Sequence, residues 1–482
     1  MKKTWSLILT LVLVLTLGAG AACAEEPVRK IIWWVYGEAP IDTRLVVEKA
    51  NAYSREKIGV EVELIFKTDE QFNTDMGADT YYDMTFTSDW CNSFAVNAFD
   101  ERFYDITELV RTAAPALYAC IDQVYWETAG SVNGRIYAVP TLKDMASEQY
   151  FRFDKDRYEA IGITIPEEME FRDLEPMLKA YREHYDDVYP LMLARGGLTG
   201  MTNSCQWIVG SYLCSPYALA GTERENQIIP FWEDEELMER YRLLHRWYTL
   251  GYINPDAATT ETIGADIRAG VRSGSAWKGY YTGYSSWAGI NVEGSRYAGP
   301  NMSVATMRGA MNAINAAASE EQAVACLRYL ELLNTDRDFR DILRFGVEGV
   351  HFNYIVNDQG KRVAERTEQG AANWSMDGFV TGSVRNASCS SDSYYDWDEI
   401  YEGYKHARVS TLGAFTFNRA DVEAECAACG AVMAKYTAEL LTGTMDIDAM
   451  LPTIREELKT AGIESVQAEA QRQLDEYLRT NQ

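Results

Sequence analysis

Three consecutive segments decide the fold: Val28-Arg29-Lys30-Ile31-Ile32-Trp33-Trp34-Val35-Tyr36, then Thr43 to Lys57, then Val60-Glu61-Val62-Glu63-Leu64-Ile65-Phe66. The first is an apolar, aromatic run of strand length. In the second, Leu45, Val46, Lys49, Ala50 and Tyr53 recur at helical spacing and define one buried face. In the third, Val60, Val62, Leu64 and Phe66 alternate with Glu61, Glu63 and Ile65, which is the period-two pattern of a strand. Strand, helix and strand in that order make a βαβ unit, so the two strands lie parallel and helices cover the faces of the sheet.

The pattern recurs. Tyr82 to Thr87 reads as a strand ending in the polar turn Ser88-Asp89, Ile106 to Ile121 as a helix, and Ile136 to Val139 as a strand stopped by Pro140. Ligands of open α/β sheets bind outside the carboxyl ends of strands. That rule makes the loops Gly37-Glu38, Ser88-Asp89-Trp90 and Thr141 to Asp144 candidate walls of a site. Helical spacing over Phe171 to Tyr185 and Asp234 to Leu250, with Val188 to Leu193 as a buried strand between them, predicts a second α/β lobe. Ser275 to Tyr281 reads as an aromatic-rich strand, and Val304 to Met307 as an apolar strand with Arg308 projecting from its end. Ser319-Glu320-Glu321-Gln322 has the form of a capping box opening a helix up to Leu333. The tail from Asp421 to Arg479 reads as helix in three pieces, broken near Gly443 and at Gly462.

A chain of 482 residues is too long for one ordinary core and suits two lobes. Apolar content of 47% with 24% charged residues is that of a globular protein. A formal net charge of -27 repels phosphate backbones and anionic membranes, which argues against nucleic acid as a partner. The four histidines show no spacing that converges on a metal, and no P-loop, GxSxG or dinucleotide fingerprint occurs. Neither a metal nor a cofactor is expected. Of the nine cysteines, Cys205 with Cys214 is the pair most worth testing for a disulfide, while Cys426-Ala-Ala-Cys429 reads as two buried residues on one helix face.

Met1 to Ala24 is an export segment: Lys2 and Lys3 precede the apolar run Leu7 to Leu17, and small residues follow. The run is too short to span a bilayer as a permanent helix. Two processing readings stand, cleavage after Ala24 or lipidation of Cys23 as a surface anchor. The residues Gly20-Ala21-Ala22 lack the Leu of the usual lipobox.

Several strings, taken in order, resemble the family 1 extracellular solute-binding proteins of ABC importers, in particular the LipO-like branch. They are Asn133-Gly134-Arg135-Ile136-Tyr137-Ala138-Val139-Pro140, the segment Tyr82 to Trp90, Leu332-Leu333-Asn334-Thr335-Asp336 with Phe345-Gly346-Val347-Glu348-Gly349, and Gly413-Ala414-Phe415-Thr416-Phe417 with the helical tail. The resemblance implies a two-lobed, type II periplasmic-binding-protein-like α/β fold with a hinge and an added C-terminal helical region. By analogy, residues 25–140 plus 281–315 form lobe 1, 141–280 plus 316–410 form lobe 2, and 411–482 form the C-terminal region. It further implies a monomeric, non-enzymatic receptor that delivers a small-molecule solute to a membrane permease.

A sugar presents apolar CH faces and rings of hydroxyls, so its site needs flat aromatic platforms flanked by polar side chains. Among 12 Trp and 30 Tyr, the platform candidates are Trp90, Trp207, Trp277, Tyr280, Tyr281 and Trp374, which sit at element ends or in polar loops. Polar partners come from Glu38, Ser88, Asp89, Lys143, Asp144 and Arg308. Lys143 and Arg308 together would suit an acidic sugar. These features predict a carbohydrate ligand, in particular an oligosaccharide. Two alternatives use the same residues differently. A secreted glycoside hydrolase would need paired carboxylates, for which Asp396, Asp398 and Glu399 are available. A surface adhesin or sensor subunit would use the two-lobed fold without a permease.

Overall fold

The computed structural model describes residues 28–217, 219–264, 266–279, 289–376, 378–380, 382–390 and 397–481. Cys23, Tyr280, Tyr281 and Asp396 lie outside the described residues. The opening βαβ unit forms as its pattern predicts. Strands Arg29–Tyr36 and Val60–Lys67 pair in parallel along their whole length, joined by helix Thr43–Ile58. Gly59 ends that helix at φ 67° with its N–H on Arg55 O, a left-handed turn that lets the next strand start at Val60 without a linker. Val46, Ala50 and Ser54 are the buried face of the helix, whereas Leu45 is exposed.

The sheet has five strands in the order Val60–Lys67, Arg29–Tyr36, Met84–Thr87, Met311–Ile314, Ala138–Pro140. Met311–Ile314 is antiparallel to both of its neighbours, and the other four strands run one way. The carboxyl ends of Arg29–Tyr36, Met84–Thr87 and Ala138–Pro140 therefore share an edge with the amino end of Met311–Ile314. That arrangement positions the site. Trp33 and Trp34, on opposite faces of the sheet, are both fully buried, and each such side chain removes about 150–250 Å² from water.

A second sheet orders Val271–Ser275, Ser147–Asp154, Val292–Met302 and Arg408–Val409, and a small one orders Ile229–Pro230, Leu213–Pro216 and Cys205–Val209. Beside two small clusters, two large hydrophobic cores result among the described residues. One joins residues between Ile31 and Ala146 to residues between Met302 and Tyr404; the other joins residues between Phe151 and Ala298 to residues between Leu412 and Leu474. The backbone passes between cores near residues 147, 300 and 408. No described helix is long and apolar enough to cross a membrane.

Several expectations need correction. Helices Glu320–Thr335 and Trp397–Tyr404 pack into the first core, so most of 316–410 does not belong with the second lobe; strand Val292–Met302 pairs in the second sheet, so 281–315 does not return whole to the first. Hydropathy alone does not say which of two cores an amphipathic helix serves. Ile106–Ile121 is split into helices Leu109–Ala113 and Pro115–Cys120, because Pro115 disfavours helical geometry in the residue before it. Val188–Leu193 makes only isolated bridges from Leu191, to Ile253 and Val271. The strand here is Val271–Ser275, so residues 276–279 of the expected aromatic strand are not strand and 280–281 lie outside the described residues; Val304–Met307 is one helical turn whose N-cap, Ser303, accepts from Thr306 N. Ser319 Oγ accepts from Gln322 N, but the Gln322 amide donates to Lys30 O at 2.6 Å, which fastens this helix to the first strand instead of closing a capping box. The tail has four helices, since Thr437–Thr442 stands apart before Gly443.

Candidate functional site between the two cores

The loop after Met84–Thr87 is built by Ser88. Its hydroxyl accepts from Cys91 N at 2.8 Å and donates to Cys91 O at 3.0 Å, and the residue is fully buried. Ser88 thus shapes the turn and, contrary to expectation, has no surface to offer a ligand. The turn presents Asp89 and Trp90 outward. Trp90 is 50% exposed, yet its indole N–H donates to Gly309 O at 2.7 Å and its ring stands edge-on to Tyr36 at 4.9 Å. Phe86 and Phe379 pack at 5.7 and 6.2 Å. The indole is thus half-exposed and held in place on several sides.

The loop after Ala138–Pro140 adds Lys143 and Asp144, whose side chains pair at 2.7 Å. The Lys143 ammonium lies over Gly309, where an added Cβ would fall 2.9 Å from Nζ. Tyr401 donates to Lys143 O at 2.7 Å and anchors the loop on helix Trp397–Tyr404. Trp90, Gly309, Lys143 and Asp144 thus form one continuous wall. Glu38, after the first strand, is exposed.

Arg308 has a different part from the one its position suggests. It caps the turn Val304–Met307 and is 1% exposed. Its guanidinium donates to Ala129 O at 3.0 Å, Ser131 O at 2.7 Å and Thr416 Oγ1 at 2.7 Å, and lies 4.9 Å from the centre of the Phe94 ring. Burial lowers its pKa, with Asp89 opposing. With Arg308 committed to these acceptors and Lys143 to Asp144, the two cations do not converge on one carboxylate. Trp374 is also corrected: it is 1% exposed in the first core, with its indole on Leu343 O at 3.2 Å. A polar loop flanks it, but the helices over 337–345 and 368–373 close over the ring.

A groove of about 630 Å³ opens between the two cores; Asp89 and Arg308 line it, whereas Trp90, Gly309, Lys143 and Asp144 lie outside its lining. Asp89, Ser93 and Val96 line one side, and Trp207, Gly210 and Phe417 the other. Asp89 keeps solvent contact at depth; desolvation raises its carboxyl pKa and the Arg308 charge opposes that rise. Trp207, on strand Cys205–Val209, is 37% exposed. Trp277 follows the edge strand Val271–Ser275 of the second sheet and packs on Trp397 with ring centres 5.1 Å apart. Beside it Lys278 bridges Glu167 at 3.9 Å and Glu399 at 3.1 Å. Asp398 pairs with Arg385 at 2.8 Å and its side chain is 82% exposed, so it and Glu399 serve surface ion pairs.

Sequence reasoning missed Val96, Phe417 and Arg419, which also line the groove. One available signal was the apolar Val96 on the short helix Phe94–Phe99 after a polar turn. Another was the aromatic string Phe415-Thr416-Phe417 leading into the polar Asn418-Arg419.

Two cores of mixed helix and sheet with a groove between them define the class: the chain has the two-lobed α/β fold of solute-binding proteins. Comparison with known proteins narrows this. A Streptococcus pneumoniae serotype 4 (strain ATCC BAA-334 / TIGR4) protein described as a carbohydrate ABC transporter substrate-binding protein is 26% identical over 472 residues, covering 95% of this chain and 92% of that one. The crystal structure of the N-glycan transport solute binding protein NgtS from Streptococcus pneumoniae matches with a TM-score of 0.84 at 24% identity, over 94% of this chain and 100% of that one. The same protein in complex with Man5GlcNAc matches at 0.72 and 25% identity, over 94% of this chain and 99% of that one. An extracellular solute-binding protein from Bifidobacterium longum subsp. infantis matches at 0.65 and 14% identity, over 93% of this chain and 98% of that one. Residues 411–479 match a family described as a domain of unknown function, DUF3502.

Proposed function

We propose that this protein is the extracellular receptor of an ABC importer and binds a neutral oligosaccharide in the cleft between its lobes. The observation that carries the reading is the groove between the two cores, where Asp89 from the first meets the part-exposed indole of Trp207 from the second, with the half-exposed Trp90 next to Asp89 in the chain. Flat apolar faces beside fixed donors and acceptors match the two surfaces of a sugar ring. The carbohydrate-transport relatives, one of them complexed with an N-glycan fragment, support the same ligand class. Commitment of Arg308 and Lys143 within the protein favours a neutral sugar over a uronate.

Binding works by closure. Sugar docks on one wall, the lobes rotate about the crossings near residues 147, 300 and 408, and the closed form is what a permease recognises. We assign residues 28–146 with 302–404 to one lobe, and 147–301 with 411–481 to the other. The receptor works as a monomer of the LipO-like branch, without catalysis, tethered at the cell surface through lipidated Cys23. A thermal-shift screen tests the ligand class, since ligand at 100 times its Kd adds about 2.7 kcal/mol to stability. Neutral oligosaccharides raise the melting temperature, and amino acids and uronates do not. A response to peptides alone overturns the reading.

A further inference from the structure

Behind the groove lies a cluster that ligand binding does not use. Strands Cys205–Val209 and Leu213–Pro216 pair antiparallel, with Cys205 opposite Pro216 and Trp207 opposite Cys214. Cys205 and Cys214 are therefore diagonal neighbours on one pair of strands. A bulge between Trp207 and Val209 increases the local twist, which changes the approach of such diagonals. One sulfur of each cysteine and a carboxylate oxygen of Asp234 all lie within 4.8 Å of one another, and the three residues are buried. Ile229 completes a small apolar nest around the two thiols. A hydrogen bond with Cys214, together with burial, pushes the Cys205 thiol pKa well up.

We propose that Cys205 and Cys214 are a redox pair that closes to a disulfide in an oxidising exterior and staples the hairpin carrying Trp207. A disulfide is neutral and suits this apolar nest, whereas a metal ion would need two buried thiolates. Asp234 is also an unsuitable metal ligand. As N-cap of helix Glu235–Thr249 it already accepts from Glu236 N at 3.1 Å, Leu237 N at 3.3 Å and Thr202 Oγ1 at 2.7 Å. Closure proceeds by exchange with an external disulfide. One thiol loses its proton and attacks, forming a mixed disulfide and releasing one reduced thiol. The second cysteine then attacks the protein sulfur of that bond, forming the Cys205–Cys214 bond and releasing the second thiol. Two protein thiols are oxidised and one external disulfide is reduced to two thiols. Because the pair is buried, exchange takes place before the nest closes during folding. The proposal is independent of the ligand.

The test is refolding of the full chain in oxidised glutathione, followed by denaturation in N-ethylmaleimide without reductant and peptide mass spectrometry. Cys205 and Cys214 are expected unlabelled and joined, and labelled after dithiothreitol. The oxidised wild type should melt a few degrees higher than the reduced, a difference absent in Cys214→Ser. Labelling of both cysteines without reduction overturns the proposal. So does glutathione held on either one, or co-purified zinc with thiols that become reactive only after chelation.

Discussion

Replacing Trp90 by Ala tests the cleft most sharply, because the size of the effect follows from the geometry. The side chain is 50% exposed. A tryptophan offers up to about 250 Å², so about 125 Å² of this one faces solvent, and a sugar covering one face hides about 60 Å² of it. At about 25 cal/mol per Å² that contact contributes about 1.5 kcal/mol, or roughly a tenfold change in Kd. The indole is already held by Gly309 O and braced by Tyr36, so little ordering on binding offsets the gain. Calorimetric titration of wild type and Trp90→Ala with the same oligosaccharide reads the ratio directly. Trp90→Phe keeps an apolar ring but loses the hydrogen bond that orients it, and should fall between the two. If Trp90→Ala stays folded, by its near-ultraviolet spectrum and melting curve, and binds with unchanged Kd, Trp90 is not a platform and the first wall is wrongly assigned.

Trp374→Ala should do the reverse, costing about 3–5 kcal/mol of stability in urea unfolding while leaving affinity unchanged at temperatures where the variant is folded. Arg308→Met removes the donor shared by Ala129 O and Ser131 O, and each buried carbonyl left unpaired costs about 1–3 kcal/mol, read as a lower denaturant midpoint. Asp42 accepts from His351, Gln369 and Asn373, and the hydrogen bonds from Gln369, His351 and Asn373, in that order, hold its carboxyl at about 2. Its folded pKa lies below the unfolded value of about 3.9, so its stabilisation is full above that value and is lost as pH falls towards 2. The melting-temperature gap between wild type and Asp42→Ala should accordingly be present at pH 6 and shrink steeply as pH falls from 4 towards 2. Gly197→Ala places a Cβ 2.2 Å from Leu441 O at a φ of 63° and should lower the melting temperature by parting the second lobe from its C-terminal helices.

How much of this was legible in the sequence depended on the range of the interaction. The βαβ opening was readable because its periods are local: Val60–Lys67 alternates, Thr43–Ile58 repeats at helical spacing, and both follow from backbone geometry. That the loops of Trp90 and Lys143 meet at Gly309 was readable because sheet direction alone puts strand ends together. Trp374 and Arg308 were misplaced because their partners, Leu343 for one and Ala129, Ser131 and Thr416 for the other, are 31 to 179 residues away, and local polarity says nothing about what folds over a side chain. The allocation of helix Glu320–Thr335 failed similarly: its apolar face is evident, but its contact with the first strand through Gln322 and Lys30 spans 292 residues.

The most direct measurement of the central claim is calorimetric titration of the mature protein with the neutral oligosaccharide that raises its melting temperature most, with the sugar recovered afterwards and weighed by mass spectrometry. The account predicts saturable one-to-one binding and return of the sugar at its original mass. Heat without saturation and shortened sugar would make the protein a hydrolase, and no binding to any neutral oligosaccharide would leave the cleft without its proposed ligand.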